Sequence, residues 1–136
     1  MNLFIHLNFP GNCAQALHYY EQNLRGKILA LMKQSDAPGA SRKADGEDPV
    51  LHARMEIGNT VLIGNDVPPD RLQPMRTAYL YLSVDSVQEA ERIYAALMQG
   101  GEAYMPLQET YFASRFSQLR DQFGTLWTLI QERSTS

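Results

Sequence analysis

The sequence contains one cysteine, Cys13, so no disulfide can form within the chain, and burial and hydrogen bonding must hold whatever fold it adopts. No apolar run approaches the roughly 20 residues that a membrane-spanning helix needs, and no signal-like segment opens the chain. Basic clusters are missing as well. The 12 Lys and Arg residues are outnumbered by 15 Asp and Glu, for a formal net charge of -3, so a phosphate-tracking stripe is not expected. No glycine-rich loop leads from a strand into a helix, which removes the usual cradle for a nucleotide-type cofactor. These absences lead us to expect a cytoplasmic protein with neither nucleic acid nor membrane as partner.

What is present is a repeat. Odd positions of 3–9 are apolar while His6 and Asn8 share the even face with Phe4, the pattern of a strand with one face on a core. Asn12 and Gln15 read as a capping box for a helix over 12–24, closed by Gly26, with Cys13, Leu17, Tyr20 and Leu24 as its buried stripe. Residues 27–33 read as a strand. The Ser-, Gly-, Asp- and Pro-containing segment 34–49 reads as a mobile loop placed to close over a ligand. In 50–57 the residues alternate, with His52, Arg54 and Glu56 on one face, and Gly58-Asn59 forms a hairpin turn into 60–66.

The second copy starts after a linker over 67–76, whose Pro68, Pro69 and Pro74 exclude a central strand or helix interior. A strand over 78–84 precedes a helix over 86–99 with the Ser86/Glu89 box, the stripe Val87, Ala90, Ile93 and Leu97, and the closing pair Gly100-Gly101. Short strands over 102–105 and 116–120 and a turn at 121–124 lead into a strand over 125–132 that holds Trp127. At 136 residues the chain is one α+β domain with module one at 1–66 and module two at 77–133. A βαβββ unit cannot bury its helix stripe and its sheet alone, so two units are expected to share a concavity suited to a small molecule.

Several residue groups, in this order and spacing, resemble the vicinal oxygen chelate superfamily of glyoxalases, bleomycin-resistance proteins and extradiol dioxygenases, and within it the PhnB-like branch. In the first half they are Leu7-Asn8-Phe9, Gly11-Asn12, Ala16, Tyr19-Tyr20, His52-Ala53 and Ile57-Gly58. In the second they are Gly100-Gly101, Pro106-Leu107, Glu109-Thr110, Arg115-Phe116, Asp121-Gln122-Phe123-Gly124 and Trp127. The resemblance implies two βαβββ modules forming an open, cupped eight-stranded mixed sheet with flanking helices, in a homodimer. It leaves the activity open, because the superfamily includes isomerases, dioxygenases, thiol transferases and drug-sequestering proteins.

In its metalloenzymes, side chains from the first and last strand of each module hold a divalent ion that chelates substrate oxygens. The matching positions here are His6, Leu62, Tyr79 or Leu80, and Thr128, of which only His6 is a usual ligand. No metal cofactor is therefore expected, with a displaced set of His6, His52 and Glu56 as the alternative. The candidate cavity residues are His6, Asn8, His52, Arg54, Glu56, Tyr79, Tyr81, Glu109, Arg115 and Trp127. His52, Arg54 and Glu56 are read as a polar wall or a solvated face, the tyrosines as stacking groups or core, and Arg115 as an anion clamp or the partner of Asp121. Three functions compete: a small-molecule binder without the usual metal, a metal-dependent lyase, isomerase or dioxygenase, and a protein-interaction module with a filled cavity.

Overall fold

The computed structural model describes residues 1–39 and 46–133, and within them all eight expected strands and both helices are present. The chain divides into two compact units, Met1–Gln73 and Pro74–Ser136, with the boundary inside the proline-containing linker. Each unit follows the order β-α-β-β-β and builds a four-stranded mixed sheet.

In the first unit, β1 (Ile5–Phe9), α1 (Cys13–Asn23), β2 (Lys27–Lys33), β3 (Val50–Ile57) and β4 (Thr60–Asp66) give the sheet order β1-β4-β3-β2. β1 runs parallel to β4, and the β4–β3 and β3–β2 pairs are antiparallel. The helix covers one face of this sheet. A Cβ added at Gly64 would lie 3.2 Å from the Cys13 sulfur and 3.6 Å from Leu17, so β4 approaches α1 closely where its residue has no side chain. On that face Leu7, Phe9, Ala53, Met55, Ile57 and Leu62 meet the expected stripe of Cys13, Leu17, Tyr20 and Leu24, all buried. Each large side chain removed from water in this way contributes about 2 kcal/mol.

Both ends of α1 differ from the sequence reading. The Asn12 side chain makes no cap hydrogen bond, and its Oδ1 is buried without a partner. The carboxylate of Asp66, at the end of β4, takes that place. It accepts the N–H groups of Gly11 at 3.1 Å and Cys13 at 2.9 Å, and its other oxygen accepts the Val50 N–H at 2.9 Å. A carboxylate completes a helix N-terminus better than a neutral amide because it also meets the positive end of the helix dipole. At the other end, Arg25 rather than Gly26 adopts the left-handed conformation, with φ of 55°. Gly26 packs closely on β3: a Cβ there would lie 2.6 Å from Cε of Met55, the movable end of that side chain, and 3.2 Å from Cγ1 of Ile57.

The connection 34–49 is less free than its composition suggests. A 3-10 turn, Gln34–Asp36, follows β2; the Asp36 carboxylate accepts the Lys33 N–H at 2.9 Å, and Asp48 accepts the N–H and hydroxyl of Ser35 at 2.8 and 2.6 Å. Of the segment 34–49 expected to be mobile, 40–45 lie outside the described residues.

In the second unit, β5 (Leu80–Ser83), α2 (Val87–Leu97), β6 (Glu102–Gln108), β7 (Ala113–Arg120) and β8 (Leu126–Glu132) give the order β5-β8-β7-β6. Ser86 caps α2 as read from sequence, its hydroxyl accepting the Glu89 N–H at 3.1 Å. Gly101 is sterically required: a Cβ there would lie 2.6 Å from the Arg120 carbonyl oxygen and 2.8 Å from that of Leu97. β6 runs on through Pro106 to Gln108, beyond the expected 102–105, because it is an edge strand and a missing N–H on the open side breaks no ladder bond. β7 likewise starts at Ala113, whose N–H donates to the Thr110 hydroxyl at 3.0 Å. The edge strands β2 and β6 each carry two register irregularities, which discourage pairing with another sheet.

Asp121 plays the part in this unit that Asp66 plays in the first. Buried at 5% exposure, it accepts the N–H groups of Phe123 at 2.9 Å and Thr125 at 3.0 Å and the indole N–H of Trp127 at 2.9 Å. Hydrogen bonds to an ionised acceptor are worth about 1.5–3 kcal/mol each, and removing the acceptor leaves several donors unsatisfied. Asp66→Ala and Asp121→Ala should therefore each lower unfolding stability by about 3 kcal/mol or more, read as a lower midpoint at unchanged slope in urea titrations. A loss under about 0.5 kcal/mol would contradict the role assigned to either carboxylate.

Candidate functional site

Helix coverage on one side decides which strand residues are free for chemistry. Because Leu7, Gly64 and Ala53 are aligned on the face toward α1, their alternating neighbours point away from it. One transverse row on the helix-distal face runs His6, Ile63, Arg54, and a second places Asn8 beside Asn65. His52 lies two residues from Arg54 toward the Asn65 end, opposite Met32 of β2, and Glu56 lies two residues the other way. The structure thus gathers all five first-half candidates on one face: His6, Asn8, His52, Arg54 and Glu56.

A hydrogen-bonded chain orients His6. The Asn65 amide donates from Nδ2 to the Asp66 carbonyl at 3.3 Å, which turns its Oδ1 toward His6 at 2.6 Å. An amide oxygen only accepts, so Nε2 of His6 is the donor in this pair. Across β4, the guanidinium of Arg54 lies 5.3 Å from the centroid of the Phe4 ring. Sequence reading missed Asn65 and Ile63. Counting forward from Gly58 reached Leu62, which is 3% exposed and belongs to the core face, so the register was off by one residue.

The second-half candidates are dispersed. Tyr81 and Ser83 lie on the helix-distal face of their sheet, in rows with Thr128 and Ile130 of β8, and Gln118 of β7 donates to the Thr128 hydroxyl at 3.3 Å. The Tyr81 hydroxyl donates to Glu132 at 2.8 Å. Tyr79 precedes β5 and is half-buried. Arg115 pairs with neither a helix-distal group nor Asp121; it reaches Glu91 on α2 at 3.5 Å and donates to the Ser114 carbonyl at 2.6 Å. Asp121 is taken up by its own turn and by Trp127. Trp127 is a core residue at 2% exposure, and Glu109 forms a surface pair with Arg133 at 3.4 Å.

The donor sets do not fit the superfamily's divalent ion. In the first unit the β1 position offers His6, whose Nε2–H is engaged with Asn65, while the β4 positions are Leu62 in the core and Ile63 beside His6. In the second unit the positions are Leu80 or Tyr79 and the buried Thr128, none of them a usual ligand. The displaced set fails for a topological reason. β4 lies between β1 and β3, so the backbones of His6 and of His52 and Glu56 are separated by about two strand spacings, roughly 10 Å, with the side chain of Ile63 between them. Among the described residues no three His, Cys, Asp or Glu side chains converge.

A cavity of about 500 Å³ does occur in the first unit, but at the strand ends, lined by Pro10, Gly11, Asp48, Pro49, Leu51 and Asp66 among others. None of the sequence candidates lines it, and its Asp48 and Asp66 carboxylates already hold backbone N–H groups and the Ser35 hydroxyl. Cys13 supplies no nucleophile either: burial, with the nearby Asp66 charge, pushes its thiol up to about 12.

Residues 1–130 match the family described as 3-demethylubiquinone-9 3-methyltransferase. The chain belongs to this family, the PhnB-like one. It is 26% identical to protein YjdN of Escherichia coli, over 95% of this chain and 94% of that protein. Among solved structures, PA1353 from Pseudomonas aeruginosa is 34% identical with a TM-score of 0.85, covering 98% of this chain and 99% of that one. The putative 3-demethylubiquinone-9 3-methyltransferase PhnB protein from Bacillus cereus is 21% identical with a TM-score of 0.83, covering 96% and 99%. The fold extends to a glyoxylase/bleomycin resistance protein/dioxygenase domain from Frankia, 15% identical with a TM-score of 0.65 over 98% of both chains. The PhnB-like chain is thus a relative in fold of the vicinal oxygen chelate proteins.

Tyr81 offers a titration test of the second sheet's geometry. Its hydrogen bond to Glu132, with smaller contributions from burial and the Glu132 charge, raises its pKa above the ordinary 10.0. The fold favours the protonated phenol, so this contribution is complete below the unfolded pKa and is lost as pH rises through the higher folded value. In ultraviolet titration, Tyr81→Phe should remove a late-ionising component, and Glu132→Gln should move that component to lower pH. An unchanged profile in Glu132→Gln would show that the pair does not form.

Proposed function

We propose that this PhnB-like protein binds a small molecule on the helix-distal faces of its sheets, without the divalent ion used by metalloenzymes of the superfamily, and works as a cytoplasmic homodimer. The observation that carries the reading is the first sheet's helix-distal face, where His6, Asn8, Asn65, His52 and Arg54 surround the half-buried Ile63. A patch that pairs directional polar groups with an apolar floor is the composition of small-molecule sites. Donor chemistry at the four superfamily positions supports binding without metal. Leu3, Phe4 and Ile5, at 95%, 41% and 38% exposure beside the free edge of β1, form an apolar rim of the kind that a second copy covers.

The methyl transfer named in the family description is not part of this proposal. Neither strand-to-helix connection, 10–12 or 84–86, is a glycine-rich loop suited to a nucleotide-type methyl donor.

The test is a thermal-shift screen of metabolites with and without chelator, on protein purified without an affinity tag. Metal content should be below one Zn, Ni, Mn or Fe per chain. A bound metabolite at a hundred times its Kd adds about 2.7 kcal/mol, which raises Tm by several degrees for a domain of this size, and chelator should not change that rise. A shift produced only by metal and abolished by His6→Ala would replace this reading with the metalloenzyme. Sedimentation of a monomer alone at micromolar concentration would remove the dimer.

A further inference from the structure

On the helix-distal face of the first sheet, Arg54 is half-buried and its guanidinium rests on the Phe4 ring, 5.3 Å from the centroid. Stacking of this kind satisfies the flat face of the group and leaves its in-plane N–H donors directed elsewhere. Among the described residues those donors have no hydrogen-bond or ion-pair partner, and Glu56, two residues along the same strand, forms no ion pair with them. The other half-buried arginines differ. Arg115 is held by Glu91 and the Ser114 carbonyl, and Arg120 by the Tyr104 hydroxyl and the carbonyls of Gly124 and Met75. Arg115 and Arg120 therefore have structural work that accounts for their placement, whereas Arg54 rests on an aromatic ring and keeps free donors among the described residues.

Its surroundings extend the same chemistry. His52, half-buried and without a hydrogen bond among the described residues, lies two residues from Arg54 on the same face. Beyond β4 lies β1, with Phe4 just before its first residue and His6 within it, and His6 is oriented by Asn65. Between the two strands, Ile63 forms an apolar floor in the row that joins His6 to Arg54. A guanidinium fork matches the two oxygens of a carboxylate or a phosphoryl-type group, and such bidentate pairs are short, strong and geometrically selective.

We propose that this face recognises a small organic anion, with its carboxylate or phosphonate group in the fork of Arg54, its apolar body over Ile63, and its far end beside His6. The assignment rests on the reading of this face as the ligand site and adds the charge of the ligand to it. Arg54 is the specificity-determining group, and Phe4 is a positioning residue that holds the guanidinium still.

The test uses three probes of matched shape, benzoate, phenylphosphonate and the neutral benzamide, titrated into the whole protein and its variants while the backbone N–H of Ile63, which every variant retains, is followed by nuclear magnetic resonance. Benzoate or phenylphosphonate should shift that signal saturably by about 10 mM, the range of a weak fragment site, and whichever binds more tightly identifies the class of anion. Arg54→Gln should weaken the anion about tenfold or more and leave benzamide binding unchanged, and Arg54→Lys, which keeps the charge without the fork, should fall between. Phe4→Leu should weaken the anion with Arg54 intact. Benzamide binding as well as the anions, or anion binding unaffected by Arg54→Gln, would overturn the anion assignment while leaving a small-molecule site on this face. No saturable shift with any of the three would overturn both.

Discussion

A single helix covers a single face of each sheet, and everything else about this protein's chemistry depends on that asymmetry. Strand side chains alternate, so covering one face with α1 assigns Leu7, Ala53, Met55 and Leu62 to a dry core and leaves His6, Arg54, His52 and Asn65 on the other side. Burial of the first set supplies the driving force for folding. The second set is thereby held on a rigid surface whose shape the core fixes, which is what a binding residue needs and what a loop rarely offers.

Each unit secures its turns with one carboxylate used several times. Asp66 joins the start of α1, the start of β3 and the end of β4, and Asp121 joins the β7–β8 turn to the indole of Trp127. Such acceptors relieve buried N–H groups that no regular ladder can reach. Asp66 also links structure to the candidate face: its backbone carbonyl orients the Asn65 amide, which in turn sets the protonated nitrogen of His6. The chemistry of His6 is thus decided two residues away from the helix cap.

Family membership and candidate chemistry diverge at the metal positions. A superfamily that commonly polarises substrate oxygens with a divalent ion is represented here by leucine, isoleucine and threonine where ligands would stand, and the remaining histidine donates to an amide. On the same face, the charged group with free donors is a guanidinium. A fixed cation of this kind can orient an anionic ligand, but unlike a metal ion it has no open coordination position at which to activate water.

The sequence by itself determined the order of elements, the two helical stripes, the bounds of β2, β3 and β4, and the common face of His52, Arg54 and Glu56, because all of these follow from periodicity within a segment. It also carried the family. Only the tertiary structure decided that β4 lies between β1 and β3, that Asp66 rather than Asn12 caps α1, that Arg115 turns to Glu91 rather than to a ligand, and that Arg54 rests on Phe4. The physical reason is range. Cys13 and Asp66 are 53 residues apart in the chain, and Arg54 meets Phe4 only because β4 pairs parallel to β1 and antiparallel to β3, a choice made by packing against the helix that no local pattern records.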